Sequence, residues 1–456
     1  MTQTYDFPSK GFNIQKNNTL SFQGLDLMKL TKKYGSPLKI TYLPKIKQQI
    51  NQAVDLFSQA IKNHIYKGKY VYTYCTKSSH FSFVINKALE SGAQLEISSA
   101  YDILLIRRLF AQGRITKNIL IICNGYKGDS YLENIVGLWN EGFHNIIVVM
   151  DNPQEIDDLS ALITEGTIKI GLRIATEEEP QFELYTSRLG ISAKELVNIY
   201  KTKNKKNKKV SLVMMHFFIN SKIKDGAYYR SELSRLVEVY CDLKYECDSL
   251  QTLDIGGGFP IYTYLDMEYD YAYMIDQIVW TIQHVCDAND IPTPDIVSEF
   301  GSYTVGESGA IIYKIIGQKQ QNEKELWYMI NSSFITTLPD TWGIGQKFIL
   351  LPLNHRQRPY VNVNLGGITC DSDDYYNKDN KGNQIILPKP TEKQPLYIGF
   401  FHTGAYQDSI GGYWGIQHCL IPAPKHIIID DIDGKTQVIE FAAEQDADQM
   451  LTILGY

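Results

Sequence analysis

Between about residues 68 and 301, short β-rich runs alternate eight times with longer segments of helical spacing. The runs are YVYTYC (70–75), QLEISS (94–99), NILIICN (118–124) and NIIVVMD (145–151). They continue with IKIGLRIA (168–175), VSLVMMHFFI (210–219), LQTLDIGG (250–257) and DIVSEFG (295–301). Several are continuous in Val, Ile and Leu, as a parallel sheet covered on both faces requires. The connections, such as AYDILLIRRLFAQG and YLENIVGLWNEG, space their apolar residues for one helix face and end in Gly or Asn. Eight strand–helix pairs predict an α/β fold, a (β/α)8 TIM barrel. A doubly wound open sheet is the alternative, although such sheets more usually have fewer strands.

After residue 305 the helical periodicity fades. Short runs such as AIIYKIIGQK, ELWYMIN, KFILLPL, PLYIGFF and HIIIDDI follow, punctuated by Gly and Pro, as in a mostly antiparallel β domain. The opening segment contains LSFQG and LKITYLP and is expected to add a strand to that domain. The expected division is therefore 1–45 joining the β domain, 46–305 as the barrel, and 306–456 as the β domain proper.

The 456 residues are 44% hydrophobic and 21% charged, which suits a soluble two-domain protein with sizeable cores. A net charge of −6 gives no global attraction to nucleic acid or anionic lipid. The lysine block KTKNKKNKK (201–209) reads as a solvated loop, with no clustered arginine or nucleic-acid module beside it. Seven cysteines, odd in number and without a CxxC pair or Cys/His cluster, argue for reduced thiols, a cytoplasmic location and no metal centre. The polar N-terminus lacks the order of a signal peptide, and no apolar stretch reaches membrane-spanning length.

Reactive groups of such a barrel gather at the C-terminal ends of its strands. The polar residues there are Lys77 after the first run, Glu96 and Ser99 at the second, and Asn124 at the third. Arg173, Ser221, Gly256–Gly258 and Glu299 follow at the fifth to eighth. One lysine, a glycine run and a carboxylate converging on one mouth suit a phosphorylated, electrophilic cofactor. Taken singly, a lysine after a strand is usually a surface residue, and a Gly-Gly-Gly run is usually a tight turn.

Together these residues lie in a pattern that resembles a known family. The pattern YCTKSSHFSFVINKALESG, LEISSAYD, ICNGYKGDSYL, SRLGIS, LDIGGGFP and SEFG resembles fold-type III pyridoxal-phosphate decarboxylases, whose barrel is alanine racemase-like. GGITCDSDDYYN and GAYQDSIGGYWGIQHCLIPAP look like the biosynthetic arginine decarboxylase branch. The resemblance runs in order from about residue 70 to 425, in a chain shorter than is typical of that branch. It implies pyridoxal 5'-phosphate as cofactor, Lys77 as the lysine that holds its aldehyde, and Glu299 as the carboxylate facing the ring nitrogen. It further implies Gly257, Gly258, Ser221 and Tyr406 at the phosphate. Cys370 is the implied acid that protonates carbon after CO2 leaves, and Asp371 the implied partner of the substrate's cationic end, with Asp373 as a second carboxylate. In this family the Cys-Asp loop reaches into the partner's barrel, so a homodimer is expected.

Two departures stand out. Phe218 takes the place of the histidine that usually stacks on the ring; it can stack but cannot hydrogen-bond. Ser302 takes the place of a phosphate-binding arginine, a charge-assisted contact worth about 1.5–3 kcal/mol. Arg173, Arg188, Ser302 and Tyr303 are the candidates to compensate. The implied activity is decarboxylation of a basic amino acid, foremost arginine to agmatine for polyamine synthesis. Ornithine, lysine or diaminopimelate as substrate, racemisation on the same scaffold, and a non-catalytic relative stay open.

Overall fold

The structure is a computed structural model that describes residues 11–176, 187–219, 226–391, 394–415 and 417–456. It forms two compact units: Lys47–Pro260 with Tyr269–Thr304, and the remainder, to which the short excursion Ile261–Glu268 belongs.

The first unit is a closed barrel of eight parallel strands. In spatial order they are Tyr70–Cys75, Gln94–Ile97, Ile121–Cys123, Ile146–Met150, Ile168–Arg173, Val210–His216, Thr252–Asp254 and Asp295–Phe300, the last pairing with the first. Each lies inside one of the eight apolar runs, so the barrel and not the open sheet is the fold. Closure sets the interior. Side chains alternate across a strand, and every second residue points inward. Ile122, Ile147, Val149, Met214 and Val297 form one buried apolar cluster. Two residues further along three of these strands stand Asn124, His216 and Glu299, all buried. Strand register places Arg173 opposite His216, and His216 opposite Asp254. The barrel core therefore changes from apolar to polar at its C-terminal end, by sequence alternation alone.

The lysine block departs from the loop expected of it. Tyr200–Asn204 form a π-helical turn that continues the helix Leu196–Ile199, with Tyr200 and Asn204 buried. Lys201 and Lys205 lie 2.9 and 3.3 Å from Glu246 carboxylate oxygens, and Lys203 pairs with Asp157. Apolar Ile199 and these acids hold the turn against the charge repulsion that a run of lysines implies.

In the second unit Gly309–Gln320 is the central strand. It pairs antiparallel with Leu38–Tyr42, Leu326–Ile330 and Tyr397–Phe401. Both faces of its first half are covered, which explains the apolar run AIIY. Ile311, Tyr313 and Ile315 belong to one core and Ala310 and Ile312 to another. Leu38–Tyr42, from the N-terminal segment, lies between this strand and Lys425–Ile432. Tyr360–Gly366 pairs with Leu326–Ile330 and carries the loop that follows. Among the described residues no helix is long and apolar enough to cross a membrane.

Candidate functional site

Lys77 sits in the 3-10 turn Thr76–Ser78 directly after the first barrel strand, exposed between buried Thr76 and Ser78. Asp102 ties this turn down. Its Oδ1 accepts from Thr76 Oγ1 at 3.3 Å and from His80 Nε2 at 3.0 Å, while Oδ2 accepts from Ser98 N and Ser99 Oγ at 3.1 and 2.9 Å. Ser99 Oγ in turn accepts from Asp102 N, so the pair caps the helix Ala100–Ala111 reciprocally. Burial raises the Asp102 carboxyl pKa, but hydrogen bonds from His80, Ser98 and Ser99 outweigh it and hold the group below its ordinary value. The positive charge of Lys77 reaches the polar layer: burial pushes the Cys75 thiol well up and Lys77 partly opposes it, while burial drops His216 and Lys77 adds to that drop.

A second lysine stands near the same strand ends. Lys127 is buried, and its Nζ donates to Gly125 O at 2.6 Å and to Val149 O, with Glu155 Oε2 at 3.6 Å. Burial lowers its pKa, a property of nucleophilic lysines. Its hydrogen atoms are nonetheless committed to the loop after the third strand and to the backbone of the fourth, so it is a structural cation.

The polar layer is anchored at Glu299. Its Oε1 accepts from Asn124 Nδ2 at 2.7 Å, and its Oε2 lies 3.9 Å from His216 Nε2. His216 Nδ1 lies 3.3 Å from Asp254 Oδ2. Burial, then the neighbouring Asp254 charge, pushes the Glu299 carboxyl well above the usual range. Burial also lifts Asp254 to about 7 and drops His216 to about 4. Glu96 is fully buried, and neither of its carboxylate oxygens has a hydrogen-bond partner within the protein; the same holds for Arg173 Nε. Each such group costs about 1–3 kcal/mol until satisfied. A layer this rich in buried acids, with unsatisfied polar atoms, suits a ligand that brings a protonated ring nitrogen and further polar groups. Arg173 is the inward cation here, acting on His216 and Asp254, whereas Arg188 is exposed.

The glycine run bends the chain away from the seventh strand. Gly256 and Gly258 have φ of +67° and +101°, which side chains rarely tolerate. A Cβ on Gly257 would stand 2.5 Å from the Glu299 backbone oxygen, so its missing side chain serves contact with the eighth strand. Phe218 is half-buried beside Gly256, whose Cβ would stand 3.2 Å from the phenyl ring. Ser221 lies outside the described residues.

In the second unit, Cys370 is exposed in the loop after Tyr360–Gly366, with its Sγ 3.6 Å from Cys419 Sγ. That contact raises the Cys370 thiol above its ordinary pKa. Asp371 lies 3.3 Å from His418 Nε2 and accepts from Asp373 N at 2.9 Å, while Asp373 is exposed. Tyr406 is half-buried at φ +67°, at the start of the short helix Gln407–Gly411. The loop is built on a residue that the sequence pattern did not single out. Asp374 is buried and accepts from Phe334 N at 2.7 Å, Thr369 Oγ1 at 2.6 Å and Thr369 N at 3.4 Å. Asp374→Ala is expected to strand buried donors and to cost about 2–4 kcal/mol. An unchanged urea midpoint would show that this carboxylate does not hold the loop.

Comparison with known proteins agrees with this geometry. The family profile described as pyridoxal-dependent decarboxylase, pyridoxal binding domain, matches residues 46–306, more than half of the chain. The biosynthetic arginine decarboxylase of Prochlorococcus marinus (strain AS9601) is 24% identical, covering 99% of this chain and 88% of the relative. That alignment spans 580 positions, more than the 456 residues of this chain, so the relative carries insertions that are lacking here. Among solved structures, the biosynthetic arginine decarboxylase of Campylobacter jejuni superposes with a TM-score of 0.82 at 20% identity, covering 99% of this chain and 90% of that one. Diaminopimelate decarboxylase of M. jannaschii, in co-complex with L-lysine, gives 0.78 at 17% identity, with 96% of each chain covered. A closed barrel with a lysine-bearing turn, a buried acid at the eighth strand and a family match across all eight strands leave one assignment: this chain belongs to the pyridoxal-dependent decarboxylases.

Proposed function

We propose that the chain decarboxylates L-arginine to agmatine and CO2, as a cytoplasmic homodimer serving polyamine synthesis. The observation that carries the choice of substrate is the acidic loop after Tyr360–Gly366. Asp371 and Asp373 are accessible there, and the stretch 368–376 has no lysine or arginine. A guanidinium gains charge-assisted hydrogen bonds from two carboxylates. The distal end of diaminopimelate carries a carboxylate of its own, which this loop would repel. The names of the full-length relatives point the same way. For the cytoplasm, the support is that all seven cysteines are free.

When bound, pyridoxal phosphate supplies an electron sink for the pair released as the carboxylate leaves. Lys77 would hold it, with Asp102 fixing the turn. Glu299 would keep a proton at the ring nitrogen, Phe218 would pack on the ring, and Gly257, Gly258, Ser221 and Tyr406 would receive the phosphate. Arg173 is the cation closest in character to the arginine missing at Ser302. Cys370, reaching the barrel of the other copy, would give its S–H proton to the carbon that lost CO2. Asp371 and Asp373 would bind the guanidinium.

A panel of arginine, ornithine, lysine and diaminopimelate, scored by CO2 release, tests the reading. Arginine is expected to be preferred, and Asp371→Ala to raise KM about tenfold or more with a smaller change in kcat. Equal turnover of ornithine, or an unchanged KM, would remove the loop from substrate selection. Loss of optical activity without CO2 would instead indicate a racemase.

A further inference from the structure

Two of the seven cysteines, Cys370 and Cys419, are exposed, and the other five are buried. The exposed two are 49 residues apart in the chain, yet their sulfurs lie 3.6 Å apart, within reach of an S–H···S hydrogen bond. Cys370 stands in the loop after Tyr360–Gly366, and Cys419 in the 3-10 turn His418–Leu420. The adjacent residues meet as well, His418 Nε2 lying 3.3 Å from Asp371 Oδ2. Two successive residues of one segment therefore face two successive residues of the other. Cys419 and Leu420 have φ of +54° and +52°, a left-handed conformation that non-glycine residues uncommonly adopt. The turn thus accepts a backbone cost at the point where it brings the second sulfur to the first. A bond would draw the sulfurs from 3.6 Å to about 2 Å, a displacement on the scale of a side-chain rotation.

We propose that Cys370 and Cys419 are a redox modification site, where a peroxide closes an intrachain disulfide and silences the enzyme by removing the Cys370 S–H. The loss of turnover rests on the reading of Cys370 as proton donor; the bridge does not. Contact with Cys419 raises the Cys370 thiol and keeps its proton there, so the first attack falls to Cys419. Its sulfur attacks one peroxide oxygen, an S–O bond forms and the O–O bond breaks. The departing hydroxide takes the Cys419 proton and leaves as water, and Cys419 is now a sulfenic acid. The Cys370 sulfur then attacks the Cys419 sulfur, the S–S bond forms and the S–O bond breaks. The second hydroxide leaves as water with the Cys370 proton. Two thiols have lost two electrons, and one hydrogen peroxide has become two waters. A peroxide is smaller than an amino acid, so any path that brings substrate to Cys370 also brings the oxidant. A bridge between exposed residues stays open to reduction by small thiols, which makes the change reversible. Transient bridges of this kind are the ones a reducing compartment allows.

The test treats the cofactor-loaded full chain with one equivalent of hydrogen peroxide, then catalase, and reads peptide masses and CO2 release from arginine. A peptide holding Cys370 should be joined to one holding Cys419, and turnover should fall by about 10²-fold or more, the contribution of a positioned acid. Dithiothreitol should reverse both changes. Cys419→Ser should form no bridge and keep most of its own untreated rate. In Cys370→Ala no second thiol is present to resolve the Cys419 sulfenic acid, which should persist and be trapped by dimedone. Free thiols at both positions after treatment, a bridge between two chains on a non-reducing gel, or no dimedone on Cys419 would overturn the pair. Equal loss of turnover in Cys419→Ser would do the same. A bridge without loss of turnover would overturn the switch, and the rate of Cys370→Ala shows separately whether the proton-donor reading has failed.

Discussion

Lys77→Ala is expected to bind pyridoxal phosphate without its characteristic visible band and to lose turnover by on the order of a thousandfold or more. The size follows from position. Lys77 is carried on a short turn whose flanking residues, Thr76 and Ser78, are buried, and Asp102 ties that turn to a helix N-terminus. Among the described residues, the other lysine near these strand ends is Lys127, whose amine is committed, since it donates to two backbone carbonyls and faces Glu155. The fold should survive the change, since the Lys77 side chain is exposed and contributes little to the core. A circular dichroism melt within a few degrees of wild type, together with loss of the band, is the expected pair of results. Substantial turnover by Lys77→Ala would move the chemistry to another amine.

Cys370→Ala should leave the cofactor band intact and slow decarboxylation by about 10²–10⁴-fold, the usual contribution of a positioned acid. Part of the product should shift toward transamination, because the carbon that lost CO2 is no longer the site protonated first. The Cys419 contact raises the Cys370 thiol, which keeps it protonated at neutral pH, as a proton donor must be. If the loop serves the other copy, mixing inactive Lys77→Ala with Cys370→Ala should restore about a quarter of wild-type activity, as one intact site forms in each mixed dimer. A Cys370→Ala enzyme with wild-type rate and product would remove the protonation role, and mixtures without recovery would count against a shared site.

The barrel was legible because each strand is covered on both faces and so reads as an unbroken apolar run. NIIVVMD becomes Ile146–Met150, every residue of it buried. Tyr360–Gly366 was harder to see: VNVNL alternates apolar and polar residues, with Val363 and Leu365 buried and Asn362 exposed, so it has no unbroken apolar run. The lysine block shows the opposite failure, where composition hid a turn held by Ile199, Tyr200 and acids distant in sequence. At the site, Lys77, Glu299 and the Cys370 loop stand in recognisable motifs. Asp102, His216, Asp254 and Asp374 do not announce themselves, since the groups they face lie 22 to 83 residues away. For Asp254 the signal was present all the same. A charged residue ending an apolar strand, directly before a glycine run, has to be buried and has to find a partner.

The central claim is that one amine, after the first barrel strand, anchors the cofactor. Borohydride reduction of the cofactor-loaded protein, followed by proteolysis and mass spectrometry, tests it directly. The reduced pyridoxyl mass should appear on Lys77 alone. The same mass on Lys127 or another lysine, or on none, would contradict the assignment of this site.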